Sequence, residues 1–71
     1  MSYRQNMIDI RKDNNDTQND LAKKIGWSRP QIARYELGIS NPTIDYLEAF
    51  CRLYKISADW LLDIPKEYRR R

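Results

Sequence analysis

The chain has 71 residues, of which 32% are charged and 41% hydrophobic, a balance that excludes a disordered segment and suffices for one domain. One cysteine and no histidine exclude an internal disulfide and the usual zinc frameworks. No apolar run approaches the roughly 20 residues of a membrane span and no signal-peptide core opens the chain, so a cytoplasmic location without membrane contact is expected.

The net charge of +3 is segregated along the chain. Residues 17–38 carry a positive surplus, residues 39–64 a negative one and residues 65–71 a positive one, an arrangement of the kind that can mark a polyanion-binding face. A domain this small buries only about 60% of the surface its unfolded chain exposes, which favours a partner subunit.

No alternating run of β-branched residues lies between turn dipeptides, whereas helical punctuation recurs five times, so an all-α chain is expected. Tyr3, Met7 and Ile10 share one face of a first helix over residues 3–14. "NND" at Asn14 to Asp16 ends it, because Asn and Asp bond their own backbone and tolerate the left-handed region. Thr17 can cap a second helix, with Asp20 in the reciprocal position of a capping box. Leu21, Ala22 and Ile25 supply its apolar side, Lys23 and Lys24 its wet side, and Gly26 its left-handed end.

In "WSRPQIARYELG", from Trp27 to Gly38, Ser28 as N-cap puts Pro30 in the first turn, where no intrahelical acceptor misses its N–H. "SRPQ" fits a capping box in which the Gln31 side chain reaches back to the Ser28 N–H. Ile32 and Tyr35 then face inward and Gly38 closes this third helix. After the turn "SNPT", Thr43 can cap a fourth helix with apolar positions Ile44, Leu47, Phe50, Cys51 and Tyr54. Ser57 can cap a short fifth, "ADWLL", stopped by Pro65. Residues 1–64 are thus expected to form the domain and residues 65–71 a basic tail.

Only Gly26 to Ser28 separate the second and third helices. So short a turn containing Gly is the connection of a helix-turn-helix, and it leaves the N-terminal end of the third helix protruding. Such a helix fits the major groove of B-form DNA, with side chains at base edges and neighbouring groups at phosphates.

Residues 7–64 resemble the Cro and phage-repressor type of helix-turn-helix domain, also called the xenobiotic-response-element family. The matching residues are Arg11, the run from Thr17 to Gly38, Pro42, and "ISADWLL" from Ile56 to Leu62; within the run, Gln18, Leu21, Ala22, Gly26, Ile32, Glu36 and Gly38 fall at the family's spacing. The resemblance implies a compact five-helix, lambda-repressor-like DNA-binding domain in which helices two and three form the helix-turn-helix. It also implies a sequence-specific transcriptional regulator, a repressor that binds a palindromic operator on double-stranded DNA as a homodimer.

Position by position, the resemblance implies base contacts at Ser28, Arg29, Pro30, Ala33 and Arg34, and phosphate contacts at Thr17, Gln18, Gln31 and Asn41. Arg11 and Glu36 match a partly buried ion pair, Ala22 the small residue between the two helices, and Ile32 the core anchor. The chemistry agrees: an arginine fork suits guanine O6 and N7 and is worth about 1–3 kcal/mol of discrimination, while Pro30 and Ala33 suit a thymine methyl.

Four residues depart from the family pattern. Asp16 stands where an apolar residue is usual, which predicts a looser junction between helices one and two. Asn15 replaces the customary Gly, a change its tolerance of the left-handed region allows. Ile39 and Ser40 occupy positions where relatives often place Lys or Arg against phosphates.

Other chemistries fit poorly. "DNNDTQND" has Gln18 where a calcium loop needs Gly and Lys24 where it needs a bidentate Glu. No nucleophile elbow or Gly-rich phosphate loop suggests an enzyme, Cys51 reads as a small buried hydrophobe, and neither a cofactor nor a metal is implied. The alternative function is a protein-interaction module, such as an antitoxin or accessory subunit, on the same scaffold. Tyr54, Ile56, Trp60 and Ile39 are the candidate residues for such a surface, or for the interface of a homodimer.

Overall fold

Caps and glycines set the boundaries of the five helices in the computed structural model, which describes residues 3–62. The elements are α1 (Tyr3–Asp13), α2 (Gln18–Ile25), α3 (Arg29–Leu37), α4 (Ile44–Tyr54) and α5 (Ala58–Leu62); the described residues contain no strand. Pro65 and the basic tail, residues 65–71, lie outside the described residues.

Asn15, at φ 60°, makes the left-handed bend after α1. The Thr17 hydroxyl accepts from the Asp20 N–H while the Asp20 carboxylate accepts from the Thr17 N–H, both at 3.0 Å, a complete capping box. Gly26 and Gly38 close α2 and α3 at φ 80° and 82°, a region that penalises any side chain with a Cβ. Ser28 caps α3 by accepting from the Gln31 N–H at 3.3 Å, with Pro30 in the first turn. The reciprocal half of that box does not form: the Gln31 side chain points along its own helix and donates to the Tyr35 hydroxyl at 3.2 Å. Thr43 and Ser57 cap α4 and α5 through the N–H groups of Tyr46 and Trp60.

α3 packs against α2 and α1, while α4 bridges α2 and α5. Every helix sends residues into one core: Met7 and Ile10, Leu21 and Ala22, Ile32 and Tyr35, Tyr46 and Phe50, and Leu61. Its centre is aromatic. The Tyr46 ring lies 4.6 Å from that of Tyr35 and meets Trp27 edge-on at 5.4 Å, and Phe50 meets Tyr54 edge-on at 4.9 Å. Such pairs add about 0.5–1.5 kcal/mol each beyond area burial.

On α4 the structure corrects the expected pattern. Ile44 is 79% exposed, whereas Tyr46 is fully buried. The inward row runs Tyr46 to Phe50 at i, i+4 spacing, so Ile44, Leu47 and Cys51 fall on the neighbouring row, which lines an apolar groove with Ala58, Leu61 and Leu62. Cys51 is half-buried, and burial raises its pKa, so the thiol stays protonated.

The Tyr46 hydroxyl is buried and has no hydrogen-bond partner among the described residues. Leaving such a group unsatisfied costs about 1–3 kcal/mol, more than the space of one oxygen atom is worth. Tyr46→Phe is therefore expected to raise the melting temperature by several degrees, since about 1 kcal/mol moves a domain of this size by roughly 4–8 °C. A fall in melting temperature would mean that the hydroxyl is hydrogen-bonded in solution.

Candidate nucleic-acid interface

The junction between α1 and α2 is held by charge where the sequence suggested slackness. Asp16 is buried, at 8% exposure, and its carboxylate accepts from Lys24 Nζ at 2.9 Å and from the Tyr54 hydroxyl at 2.7 Å. Its backbone carbonyl accepts from Arg11 Nη1 at 2.8 Å. The acid thus ties the α1–α2 turn to α2 and α4 at once, and the expected loosening does not occur because each carboxylate oxygen has a donor. Lys24 and then Tyr54 hold the carboxyl below its ordinary pKa against opposing desolvation, and its hydrogen bonds to Thr17 lower that of Asp20.

A carboxyl whose pKa is lower folded than unfolded adds stability above its unfolded value, near pH 4, and this is lost as the pH falls through the folded value. Denaturant midpoints should therefore drop between about pH 5 and pH 2. In Asp16→Asn, which starts from lower stability at neutral pH, that acid limb should be shallower, with the remainder due to groups such as Asp20. An unchanged acid limb in the variant would place the Asp16 carboxyl in solvent.

Beside this clasp, Arg11 and Glu36 form a two-pronged ion pair, Nε to Oε2 at 2.8 Å and Nη2 to Oε1 at 3.0 Å, with both side chains less than a tenth exposed. The hydrogen bond to Glu36 raises the Arg11 pKa further. Glu36 Oε1 also accepts from Gln18 Nε2 at 2.9 Å. Because a carboxylate only accepts, this bond turns the Gln18 amide nitrogen toward Glu36 and leaves its second N–H for another acceptor.

The start of α2 opens onto a shallow depression lined by Arg11 and Lys12 of α1, Asn15 and Asp16 of the turn, Thr17, Gln18 and Asn19, and Arg29 of α3. The capping box satisfies the Thr17 and Asp20 N–H groups, but those of Gln18 and Asn19 have no intrahelical acceptor. With Arg11 paired to Glu36 and the Asp16 carboxylate held by Lys24 and Tyr54, the groups left facing this concavity are Lys12, Arg29 and a helix N-terminus, a combination whose charge suits an anion. Thr17, Gln18 and Arg29 meet here although sequence reasoning assigned Arg29 to bases and the other two to phosphates.

The outer face of α3 carries Arg29 and Ala33 on one i, i+4 row and Pro30 and Arg34 on the next, with Ser28 at its start; all are exposed except Ala33, which is half-buried. Ile32 and Tyr35 occupy the opposite face, at 0% and 3% exposure. Neither the Arg29 nor the Arg34 guanidinium has a hydrogen bond or ion pair among the described residues. Gln31 is exposed on the same helix with its amide on Tyr35, and Asn41 is on the α3–α4 connection, where its Oδ1 accepts from Arg4.

Of the residues considered for a subunit contact, Tyr54 is engaged inward by Asp16, Ile56 is half-buried against the core, and Ile39 and Trp60 are 70% and 58% exposed. Sequence reasoning did not single out Arg4 or the roles of Lys24 and Tyr54. Their partners lie 37 residues away for Arg4, and 8 and 38 from Asp16, beyond the reach of any helical spacing. Among the described residues no group of His, Cys, Asp and Glu side chains could hold a metal ion, and no helix is long and apolar enough to cross a membrane.

Comparison with known proteins agrees with this architecture. The helix-turn-helix family model matches residues 7–61. The chain is 34% identical over 65 residues to the uncharacterized HTH-type transcriptional regulator YobD of Bacillus subtilis (strain 168), covering 92% of this chain and 58% of that one. It is 33% identical over 60 residues to the uncharacterized HTH-type transcriptional regulator YqaE of the same organism, covering 84% and 52%. The chain thus spans a little over half the length of these relatives. No solved structure matches it.

Proposed function

Since the chain belongs to the Cro and phage-repressor type of helix-turn-helix proteins, we propose that it is a DNA-binding transcriptional regulator, a repressor that covers a palindromic operator as a homodimer. α3 enters the major groove, where Arg29 and Arg34 donate to guanine edges, Pro30 and Ala33 meet thymine methyls and Ser28 stands at the base nearest the helix start. Thr17, Gln18, Gln31 and Asn41 hold flanking phosphates. The two copies of α3 lie about 34 Å apart, one turn of DNA, and a dimer seated on a promoter excludes polymerase. This is a cytoplasmic binding protein rather than an enzyme, and it works without a cofactor.

One observation carries the reading. Of the five arginines in the described residues, Arg4, Arg11 and Arg52 each engage a side chain of the protein, while Arg29 and Arg34, on the face of α3 turned from the core, engage none. Free guanidinium forks beside a cationic depression suit a polyanion with hydrogen-bonding edges.

Selection of bound duplexes from a random DNA pool at near-physiological salt tests the proposal. The expected product is a palindrome with half-site centres one turn apart. Within it, Gln18→Ala should weaken operator and random duplexes alike and reduce the salt slope by about one phosphate; a loss confined to the operator would contradict the phosphate role.

The second reading, a protein-interaction module on the same scaffold, is favoured by the apolar groove between α4 and α5 and by exposed Ile39, Ile44 and Trp60. No enrichment from the pool, with weak binding that vanishes as salt rises, would select it.

A further inference from the structure

We propose that Arg4 is a positioning residue for the phosphate contact of Asn41, fixing the Asn41 amide with its nitrogen turned outward. The proposal rests on the DNA-binding reading above and goes beyond it, because Arg4 lies at the far end of α1, outside the helix-turn-helix.

The connection from α3 to α4, "GISNPT" at residues 38–43, contains no charged residue. Arg4 reaches it from the first turn of α1. Its Nη2 donates to Asn41 Oδ1 at 3.1 Å, its Cζ stands 5.4 Å from the centre of the Tyr3 ring, and its guanidinium passes Gly38 so closely that a Cβ there would lie 3.2 Å from Nε and 3.4 Å from Cζ. Gly38 therefore serves twice, once for its left-handed φ and once for the room it leaves Arg4.

A guanidinium has only donors, so an asparagine facing it must present its oxygen. Both N–H groups of the Asn41 amide are then directed away from Arg4, and Asn41 is exposed. Pro42 fixes the backbone that follows. The outcome is a donor held from behind, on an uncharged connection that follows the recognition helix, ready for an acceptor such as a phosphate oxygen.

The test is a double-mutant cycle on the full chain, measured as affinity for the selected operator and for a random duplex, with the Asn41 side-chain amide resonance followed by NMR. Arg4→Ala and Asn41→Ala should each weaken both duplexes by roughly three- to tenfold, the range of one hydrogen bond, and the double variant should lose no more than the larger single loss. Arg4→Lys, which keeps a donor, should recover part of the affinity and covers the case in which Arg4→Ala fails to fold. The Asn41 amide resonance should shift on adding duplex to the wild type and shift less in Arg4→Lys.

Additive losses, or full affinity with an unaltered amide shift in Arg4→Ala or in Arg4→Met, which keeps the stem without the donors, would overturn the positioning role while leaving DNA binding intact. Undiminished binding by Asn41→Ala would remove the phosphate contact and the proposal with it. Failure of the wild type to bind any duplex would remove the DNA-binding reading itself.

Discussion

Glu36→Ala should lower the melting temperature of this domain by at least about 12 °C. The carboxylate holds Arg11 with two charge-assisted bonds and Gln18 with a third, at a site where both members of the ion pair are almost wholly shielded from water. Removing it strands a buried guanidinium, and breaking such a pair costs about 3–5 kcal/mol. A chain of this length has a total stability of roughly 4–10 kcal/mol, so a large share disappears, and each kcal/mol corresponds to about 4–8 °C.

The physical cause separates this result from loss of a generic contact. Glu36→Gln keeps the shape and one acceptor and should lose less. Pairing Glu36→Leu with Arg11→Met should restore part of the loss, because no charge is then left unpartnered. A melting temperature within a degree or two of the wild type for Glu36→Ala would mean that the pair is hydrated in solution. DNA binding should be measured well below the transition, where any remaining deficit reports the freed Gln18 amide.

Much of the fold was legible because its boundaries are set within four residues of chain. Thr17, Ser28, Thr43 and Ser57 each cap a helix through their own hydroxyl, and Gly26 and Gly38 end theirs at positive φ. These are short-range effects that spacing alone reveals. Where the choice lay between two rows of one helix, local pattern failed: Ile44 and Tyr46 both look suitable for a core, and the position of α2 and α3 against α4 decides between them.

Asp16 shows the same limit for polar groups. Its acid at an apolar position reads as a defect until Tyr54, which lies 38 residues on, arrives over it. The face of α3 was visible from the pattern of Ile32 and Tyr35, whereas the company of Arg29 with Gln18, and of Arg4 with Asn41, depends on how α1 and α2 dock.

The double variant Arg29→Ala, Arg34→Ala should lose about 30-fold or more in operator affinity with a change in melting temperature of no more than a few degrees. Each guanidinium, as a base-edge donor, is worth about 1–3 kcal/mol, and every 1.4 kcal/mol is tenfold in affinity. The two stand five residues apart on α3, about 7.5 Å along the axis, and share no partner, so their effects should nearly add. Neither supports the core, and exposed substitutions of this kind stay within about 0.5 kcal/mol of neutral.

The single variants apportion the loss. Arg34→Ala should relax base preference at one position per half-site, and an unchanged preference would remove Arg34 from readout. Arg29 shares the depression at the start of α2, so its removal should also lower the salt slope, as a phosphate neighbour does. Arg34→Lys keeps the charge without the fork, and its random-duplex binding should therefore survive while operator discrimination falls. If the double alanine variant melted normally and bound the operator as tightly as the wild type, α3 would not be the reading surface, and the exposed forks would be solvated surface charge.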